Sequence, residues 1–335
     1  MNKLVFSVGA LLILISFVIL GLWVGKSGGP EKTQSPISII KPRPLDKYTI
    51  ENLGKSDIPI GKIEVGDILD KQTAYTSYLF NLEFSPNLNG NETKKTTGQL
   101  NLPNSQGTFP LVIMLRGYVD QERYVTGDGT RNAAGFFAEN GFITIAPDFL
   151  GYAGSDGETG NIFEARFQTY VTVLSLIKTL GQIEAWDGKN ISIWGHSNGG
   201  QIALTILEIT GTNYPTTLWA PVSKPFPYSV LYYTDESEDR GKLIRRELAK
   251  FEEQYDVELY SLTNYFDRIN ASLQIHQGMA DEAVPIAWSD NLVEQLSNLN
   301  LRIDYLKYPN TDHDMRPSWD TAVAHDLRFF SDNLK

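Results

Sequence analysis

The 335-residue chain contains no cysteine, which excludes disulfides, thiolate metal sites and a cysteine nucleophile. Histidine is nearly as scarce. His196, His276, His313 and His325 are the full set, so any chemistry that needs an imidazole must draw on these four. There is no excess of basic residues either: the formal net charge is −11, with acidic and basic side chains interspersed. The charge stripe of a nucleic-acid binder is therefore missing, and the acidity reads as solubility. No internal repeat or low-complexity tract interrupts the chain. What is present is apolar residues at 41%, enough to fill the core of one large α/β domain.

Charge is absent altogether from Leu4 to Gly25 (LVFSVGALLILISFVILGLWVG). As a helix this segment would rise roughly 33 Å, sufficient to cross a bilayer core. Its apolar run is longer than that of a signal peptide, and it exits through Leu22-Trp23-Val24-Gly25-Lys26 rather than an A-x-A-like site. Residues 1–25 are accordingly expected to be a transmembrane anchor, with a cleaved signal as the alternative. The short N-terminal tail is expected to stay inside, leaving the remaining domain extracytoplasmic. Residues 26–47 are rich in Pro, Gly, Ser and Lys, the composition of a flexible linker. A folded domain is expected over 48–335.

Within that domain strand-like and helix-like segments alternate. Lys62–Val65, Ala74–Phe84 and Thr97–Leu102 have strand character. Leu111–Leu115 is a short continuous apolar run, the signature of a strand buried on both faces, and the mostly apolar Phe142–Ala146 and Ile191–Trp194 read as a second and a third buried strand. Helical patterns span Asn132–Asn140, Ile162–Leu180, Asn198–Ile209 and Pro317–Phe330, and shorter strands fall at Thr217–Trp219, Leu273–His276 and Ile303–Leu306. The expectation is a mostly parallel central sheet with helices on both faces and antiparallel edge strands at its N-terminal side. Residues 222–270 break the alternation and read as a helical cap insertion, either a surface excursion or a wall over the site.

Gly195-His196-Ser197-Asn198-Gly199, followed by Gly200, satisfies G-x-S-x-G. The pentapeptide alone is a weak pattern. Placed directly after a buried strand and at the start of a helix, it is a nucleophile elbow with Ser197 at its tip. A serine hydroxyl needs a base. His313 follows the last strand and precedes the final helix, where such a base belongs. His276 ends a strand as a core histidine would, His325 lies within the final helix, and His196 is expected to point away from the site of attack. An acid is needed to hold the imidazole. Asp281 follows the strand Leu273–His276, with the adjacent Glu282 as the runner-up. Oxyanion donors are expected from the backbone N–H groups of Asn198 and Tyr118, the latter in the loop Leu115-Arg116-Gly117-Tyr118. Arg116 itself is expected to form a structural salt bridge, with a substrate carboxylate as the alternative partner.

The elbow WGHSNGG, the segment HQGMADEAVP and the segment YPNTDHDM resemble the catalytic domain of the prolyl oligopeptidase and dienelactone hydrolase-like families, and PDFLGYAGSDG resembles the loop after their fourth strand. The resemblance runs from about Ala74 to the C-terminus. It implies an α/β-hydrolase fold and Asp281 rather than Glu282 as the triad acid. The chain departs from it in carrying Arg116-Gly117 where the family has His-Gly, and with fewer than about fifty residues between the linker and the first hydrolase strands no β-propeller is expected there.

The function expected on these grounds is hydrolysis of an ester or amide through an acyl-Ser197 intermediate, leaning to carboxylic esters. A prolyl oligopeptidase-like serine peptidase is the alternative, acyl transfer to an acceptor other than water a further one, and an inactive membrane-tethered binding module the alternative from another class. The expected partners are a small ester or short peptide and, through the N-terminal helix, a membrane; no cofactor, metal or nucleic acid is expected.

Overall fold

The computed structural model describes residues 42–234 and 237–335. The expected anchor, residues 1–25, lies outside the described residues, as does most of the expected linker. No helix among the described residues is long and apolar enough to cross a membrane. Residues Arg43–Lys335 form one compact unit.

Nine strands make one sheet in the order β1-β2-β3-β5-β4-β6-β7-β8-β9. The first three, β1 (Lys62–Lys71), β2 (Tyr75–Phe84) and β3 (Lys94–Pro103), are antiparallel. β3 then pairs antiparallel with β5 (Ile143–Pro147). From β5 onward every pairing is parallel, through β4 (Phe109–Leu115), β6 (Trp186–His196), β7 (Thr216–Trp219), β8 (Leu273–Gly278) and β9 (Ile303–Tyr308). β1 is an exposed edge whose Lys62, Glu64, Asp67, Asp70 and Lys71 discourage pairing with another chain.

The continuous apolar run behaves as two-sided core. Leu111, Ile113 and Leu115 of β4 join the cluster on one face of the sheet, while Val112 and Met114 join the cluster on the other. That split is the two-residue period of a strand. On the first face pack Ile162–Thr179 (α3) and Asn198–Thr210 (α4), preceded by the short α1 (Ile50–Lys55). On the second pack Arg131–Glu139 (α2) and the terminal α8 (Trp319–Asp332).

Among its described residues the insertion holds α5 (Tyr228–Leu231), α6 (Lys242–Glu252) and the 3₁₀ turns Val257–Tyr260, Leu262–Asn264 and Phe266–Arg268. Its Phe226, Phe251 and Tyr260 pack on Phe163 and Phe167 of α3, with Phe167 and Tyr260 stacked at 4.7 Å. Most of the insertion is thus an extension of the core, each buried ring contributing about 2–3 kcal/mol. Its beginning reaches the catalytic end, where the Val222 N–H donates to the Ser197 carbonyl at 3.0 Å and the Tyr233 hydroxyl to the Ala283 carbonyl at 3.2 Å.

Two segments differ from the sequence expectation. β6 begins at Trp186, earlier than the apolar run suggests, because Asp187-Gly188-Lys189-Asn190 has turn composition; Asp187 Oδ1 indeed accepts from the N–H groups of Lys189 and Asn190. Between β8 and β9 runs α7 (Ile286–Asn298), which the strand–helix alternation does not single out. The sheet reverses its order of growth between β4 and β6, so their carboxyl ends frame a topological switch point, the place where open α/β sheets bind ligands.

Candidate active site

Ser197 sits at that switch point, between the end of β6 and the start of α4, with φ 55° and ψ −118°. Such a conformation is unfavourable for a residue with a Cβ and costs about 1–3 kcal/mol. The surroundings over-determine it. The Ser197 N–H donates to the Trp219 carbonyl at 2.8 Å, and the Ser197 carbonyl accepts from the N–H groups of Val222 and Gly200, each at 3.0 Å. A side chain at Gly199 would collide with the carbonyl of Leu115 and come within 2.6 Å of that of Arg116, so the first turn of α4 seats directly against the end of β4.

That close seating brings the loop after β4 beside the serine. A Cβ built on Gly117 would stand 3.1 Å from Ser197 Cβ and 3.6 Å from its Oγ. Among the described residues, the N–H groups of Tyr118 and Asn198 have no acceptor. They are two free donors flanking the serine, one of them at a helix N-terminus, whose field favours negative charge. The ring of Tyr118 projects to solvent, 78% exposed.

Asp281 and His313 come from the loops after β8 and β9. Those loops are tied together by Met279 N–H to the Tyr308 carbonyl and Ala280 N–H to the Thr311 carbonyl, both 2.9 Å. Asp281 has a fully buried side chain, and its Oδ2 lies 2.9 Å from His313 Nδ1. Oδ2 also accepts from Gln277 Nε2 at 3.1 Å, and Oδ1 accepts from the N–H groups of Val284 (2.8 Å) and Ala283 (2.9 Å). Burial pushes the Asp281 carboxyl up. The hydrogen bonds from His313, Val284 and Ala283 outweigh it and hold the group below its usual range. Glu282 is exposed and has no part in this pairing. Since an ionised carboxylate only accepts, His313 carries its proton on Nδ1, and Nε2 is left with a lone pair able to take a proton. Ser197 Oγ has no hydrogen-bond partner among the described residues; such contacts commonly tighten only when substrate is bound.

Two residues have partners that the sequence did not reveal. His196 packs against His313. Its Nε2 donates to the backbone carbonyl of His313 at 2.9 Å, and the two imidazole rings lie 4.6 Å apart. Burial first, and the neighbouring His313 second, push the pKa of His196 down to about 4. Arg116 forms no ion pair with a carboxylate among the described residues. It is buried, donates to the carbonyls of Gly117 and Asp148, and lies against the rings of Tyr124 and Tyr152. Gln277, to which the sequence assigned no role, steadies the pairing: its amide holds Asp281 while its carbonyl oxygen accepts from Ser289 Oγ at 2.7 Å.

Two cavities adjoin these residues. One of about 240 Å³ touches Asn198 and is lined by Arg166, Glu158, Thr159 and Gln201. The other, about 400 Å³, lies beyond His196, with Trp194, Trp219 and Trp319 among its walls and Asp314 and Arg316 at its rim.

The family model for the prolyl oligopeptidase family matches residues 129–335, more than half of the chain. An uncharacterized peptidase, YtmA, of Bacillus subtilis (strain 168) is 26% identical over 195 residues, covering 57% of this chain and 72% of that protein. Acetyl xylan esterase 1 from Thermoanaerobacterium sp. JW/SL YS485 has a similar structure (TM-score 0.61, 16% identity), the match covering 86% of this chain and 94% of the esterase. A putative dipeptidyl aminopeptidase IV from Bacteroides ovatus is similar at TM-score 0.52 and 15% identity; the match covers 82% of this chain and 36% of that one. The nine-stranded sheet has the α/β-hydrolase architecture these structures share. With the family match extending from the loop before α2 to the last residue, the chain belongs to the prolyl oligopeptidase family and is a serine hydrolase of peptidase or esterase type.

Proposed function

We propose that the chain is a carboxylic-ester hydrolase that works through an acyl-Ser197 intermediate. His313 Nε2 takes the proton of Ser197 Oγ as the oxygen attacks the substrate carbonyl carbon. The tetrahedral oxyanion is met by the N–H groups of Tyr118 and Asn198. His313 then protonates the leaving oxygen, the C–O bond breaks, and the alcohol departs. A water repeats the sequence on the acyl-enzyme, giving the carboxylic acid and restoring the serine. Asp281 keeps the imidazole in the required tautomer and stabilises its protonated form.

The observation that carries this reading is the strained Ser197, held at φ 55° on the switch point with two unengaged N–H donors beside it. The lean to esters is supported by the modest size of the cavity beside Asn198, about 240 Å³ with both polar and apolar walls, which is room for a short acyl group. Ester chemistry on this architecture has a precedent in the acetyl xylan esterase. The family match keeps a peptidase as the second reading.

A serine-reactive fluorophosphonate tests the mechanism. The adduct is expected on Ser197 and is expected to vanish in Ser197→Ala; a folded protein with no adduct there overturns the reading. Hydrolysis of short-chain esters alongside aminoacyl amides tests the substrate class, and faster turnover of the amides would make the chain a peptidase. The proposal includes a membrane tether at Leu4–Gly25, which rests on the sequence alone. Recovery of the full chain in an alkali-washed membrane fraction is its test, and release by alkali speaks against it.

A further inference from the structure

We infer that Arg116 is a positioning residue for the oxyanion hole, fixing the plane of the Gly117–Tyr118 peptide so that its N–H remains available to the developing oxyanion. The inference deepens the proposed function and rests on it.

The N–H of Tyr118 and the carbonyl of Gly117 belong to one peptide unit. That unit is planar and trans, so its N–H and C=O point in opposite directions. Whatever holds the carbonyl therefore aims the N–H. In this protein the holder is Arg116 Nη1, which donates to the Gly117 carbonyl at 3.0 Å. The same guanidinium is anchored on its other side, where Nη2 donates to the Asp148 carbonyl at 3.0 Å in the loop after β5. Its carbon lies 3.9 Å from the ring centroid of Tyr152 and 4.5 Å from that of Tyr124, and those two rings are nearly perpendicular. Tyr124 is in turn fixed by its hydroxyl, which donates to the buried Asp148 Oδ1 at 2.7 Å. Arg116 is only 6% exposed.

The anchor is needed because of what stands beside it. Gly117 has no Cβ, and one placed there would crowd Ser197 at 3.1 Å. Glycine permits that close approach, but it leaves the following peptide unit free to rotate. A flip would present the carbonyl, an acceptor, where the reaction needs a donor, and would repel the oxyanion. A guanidinium bridging two carbonyls and backed by two aromatic faces removes that freedom before substrate arrives, which is how preorganised donors act. A lysine could supply the charge but not the planar fork that reaches both carbonyls.

The test compares wild type with Arg116→Lys in the hydrolysis of p-nitrophenyl acetate, with circular dichroism to establish folding. Arg116→Lys is expected to lose about 10²-fold in kcat with KM within about twofold, because an oxyanion donor acts in the transition state. Its affinity for a boronic acid, which forms a tetrahedral adduct on serine, is expected to fall in step with kcat. Retention of kcat within about threefold in a folded Arg116→Lys overturns the inference, as does a rise in KM alone, which would make Arg116 a substrate-binding residue. Should Arg116→Lys not fold, Tyr124→Leu decides: it keeps the fork but removes one ring face, and an unchanged kcat there overturns the inference. Fluorophosphonate labelling of wild-type Ser197 separates the two levels. Without it the hydrolase reading itself falls; with it, an indifferent Arg116→Lys removes only the role given to Arg116.

Discussion

His313 and Asp281 meet at 2.9 Å at the carboxyl edge of the sheet, and His276 and Asp326 meet at the same distance inside it. The second pair is entirely buried. His276 Nδ1 is engaged with the Tyr308 hydroxyl at 2.8 Å, and Nε2 aligns its hydrogen bond on Gln274 Oε1 at 3.0 Å while only approaching Asp326 Oδ1. Asp326 Oδ2 accepts from Trp219 Nε1 at 2.8 Å. The imidazole of His276 therefore has no nitrogen left for a proton transfer and no route to water. His313 has a side chain 24% exposed and only Nδ1 committed. A histidine–carboxylate contact alone does not make a base; on the proposed mechanism the base also needs a second, unengaged nitrogen, which His313 keeps and His276 lacks.

The contrast is broken or sharpened most strongly by removing the acid from each pair. On the proposed mechanism Asp281→Asn lowers kcat about 10⁴-fold while the unfolding midpoint in denaturant stays close to wild type. His313→Ala loses at least as much. Residual kcat above a tenth of wild type in a folded Asp281→Asn would end the distinction.

Asp326→Asn and His276→Ala are expected to do the reverse. Breaking a fully buried pair costs about 3–5 kcal/mol of unfolding free energy, read by chemical denaturation, while kcat per folded molecule stays within about threefold. A catalytic loss equal to that of Asp281→Asn at unchanged stability would show that both pairs serve the chemistry.

His196 lies between the two cases, with one nitrogen engaged and its ring against His313. Its folded-state pKa is pushed down to about 4 from an ordinary 6.5, so the native protein binds fewer protons than the unfolded chain across that interval. Its contribution is complete above pH 6.5 and is lost as pH falls towards 4. Wild type is expected to lose on the order of 1–2 kcal/mol more stability than His196→Gln between those pH values, measured by urea unfolding at each pH. Parallel pH profiles for the two proteins would refute the assignment. The smallest effect belongs to His325→Ala, half-buried on α8 and remote from Ser197 in sequence and hydrogen bonding; stability is expected within about 0.5 kcal/mol of wild type and activity unchanged.

How much was legible beforehand follows from the range of each interaction. The strand Leu111–Leu115 announces itself by a continuous apolar run because both faces of a central parallel strand are covered. The Gly-rich turn at Ser197 announces itself because close approach demands glycine at a set spacing. β6 was harder to bound, since Asp187-Gly188 forms a turn of its own within the strand's first residues. The partners of Arg116 and His196 are not legible in the sequence for one reason: they are backbone carbonyls, of Gly117, Asp148 and His313, and a carbonyl leaves no trace in residue identity. A salt-bridge partner for Arg116 was a reasonable expectation from charge alone, but two tyrosine faces and two carbonyls took its place.

By itself, then, the amino-acid order determined the layered α/β sheet, the position of the elbow and the short set of histidines and acids from which a base and its partner must come. These follow from local rules of periodicity, steric allowance and residue supply. The folded arrangement alone settled which histidine meets Asp281 and which is sealed in the core, how the insertion divides between core and catalytic edge, and what Arg116 holds. Those depend on burial and on hydrogen bonds between segments far apart in the chain, such as that between His196 and His313, 117 positions apart, and no local pattern encodes them.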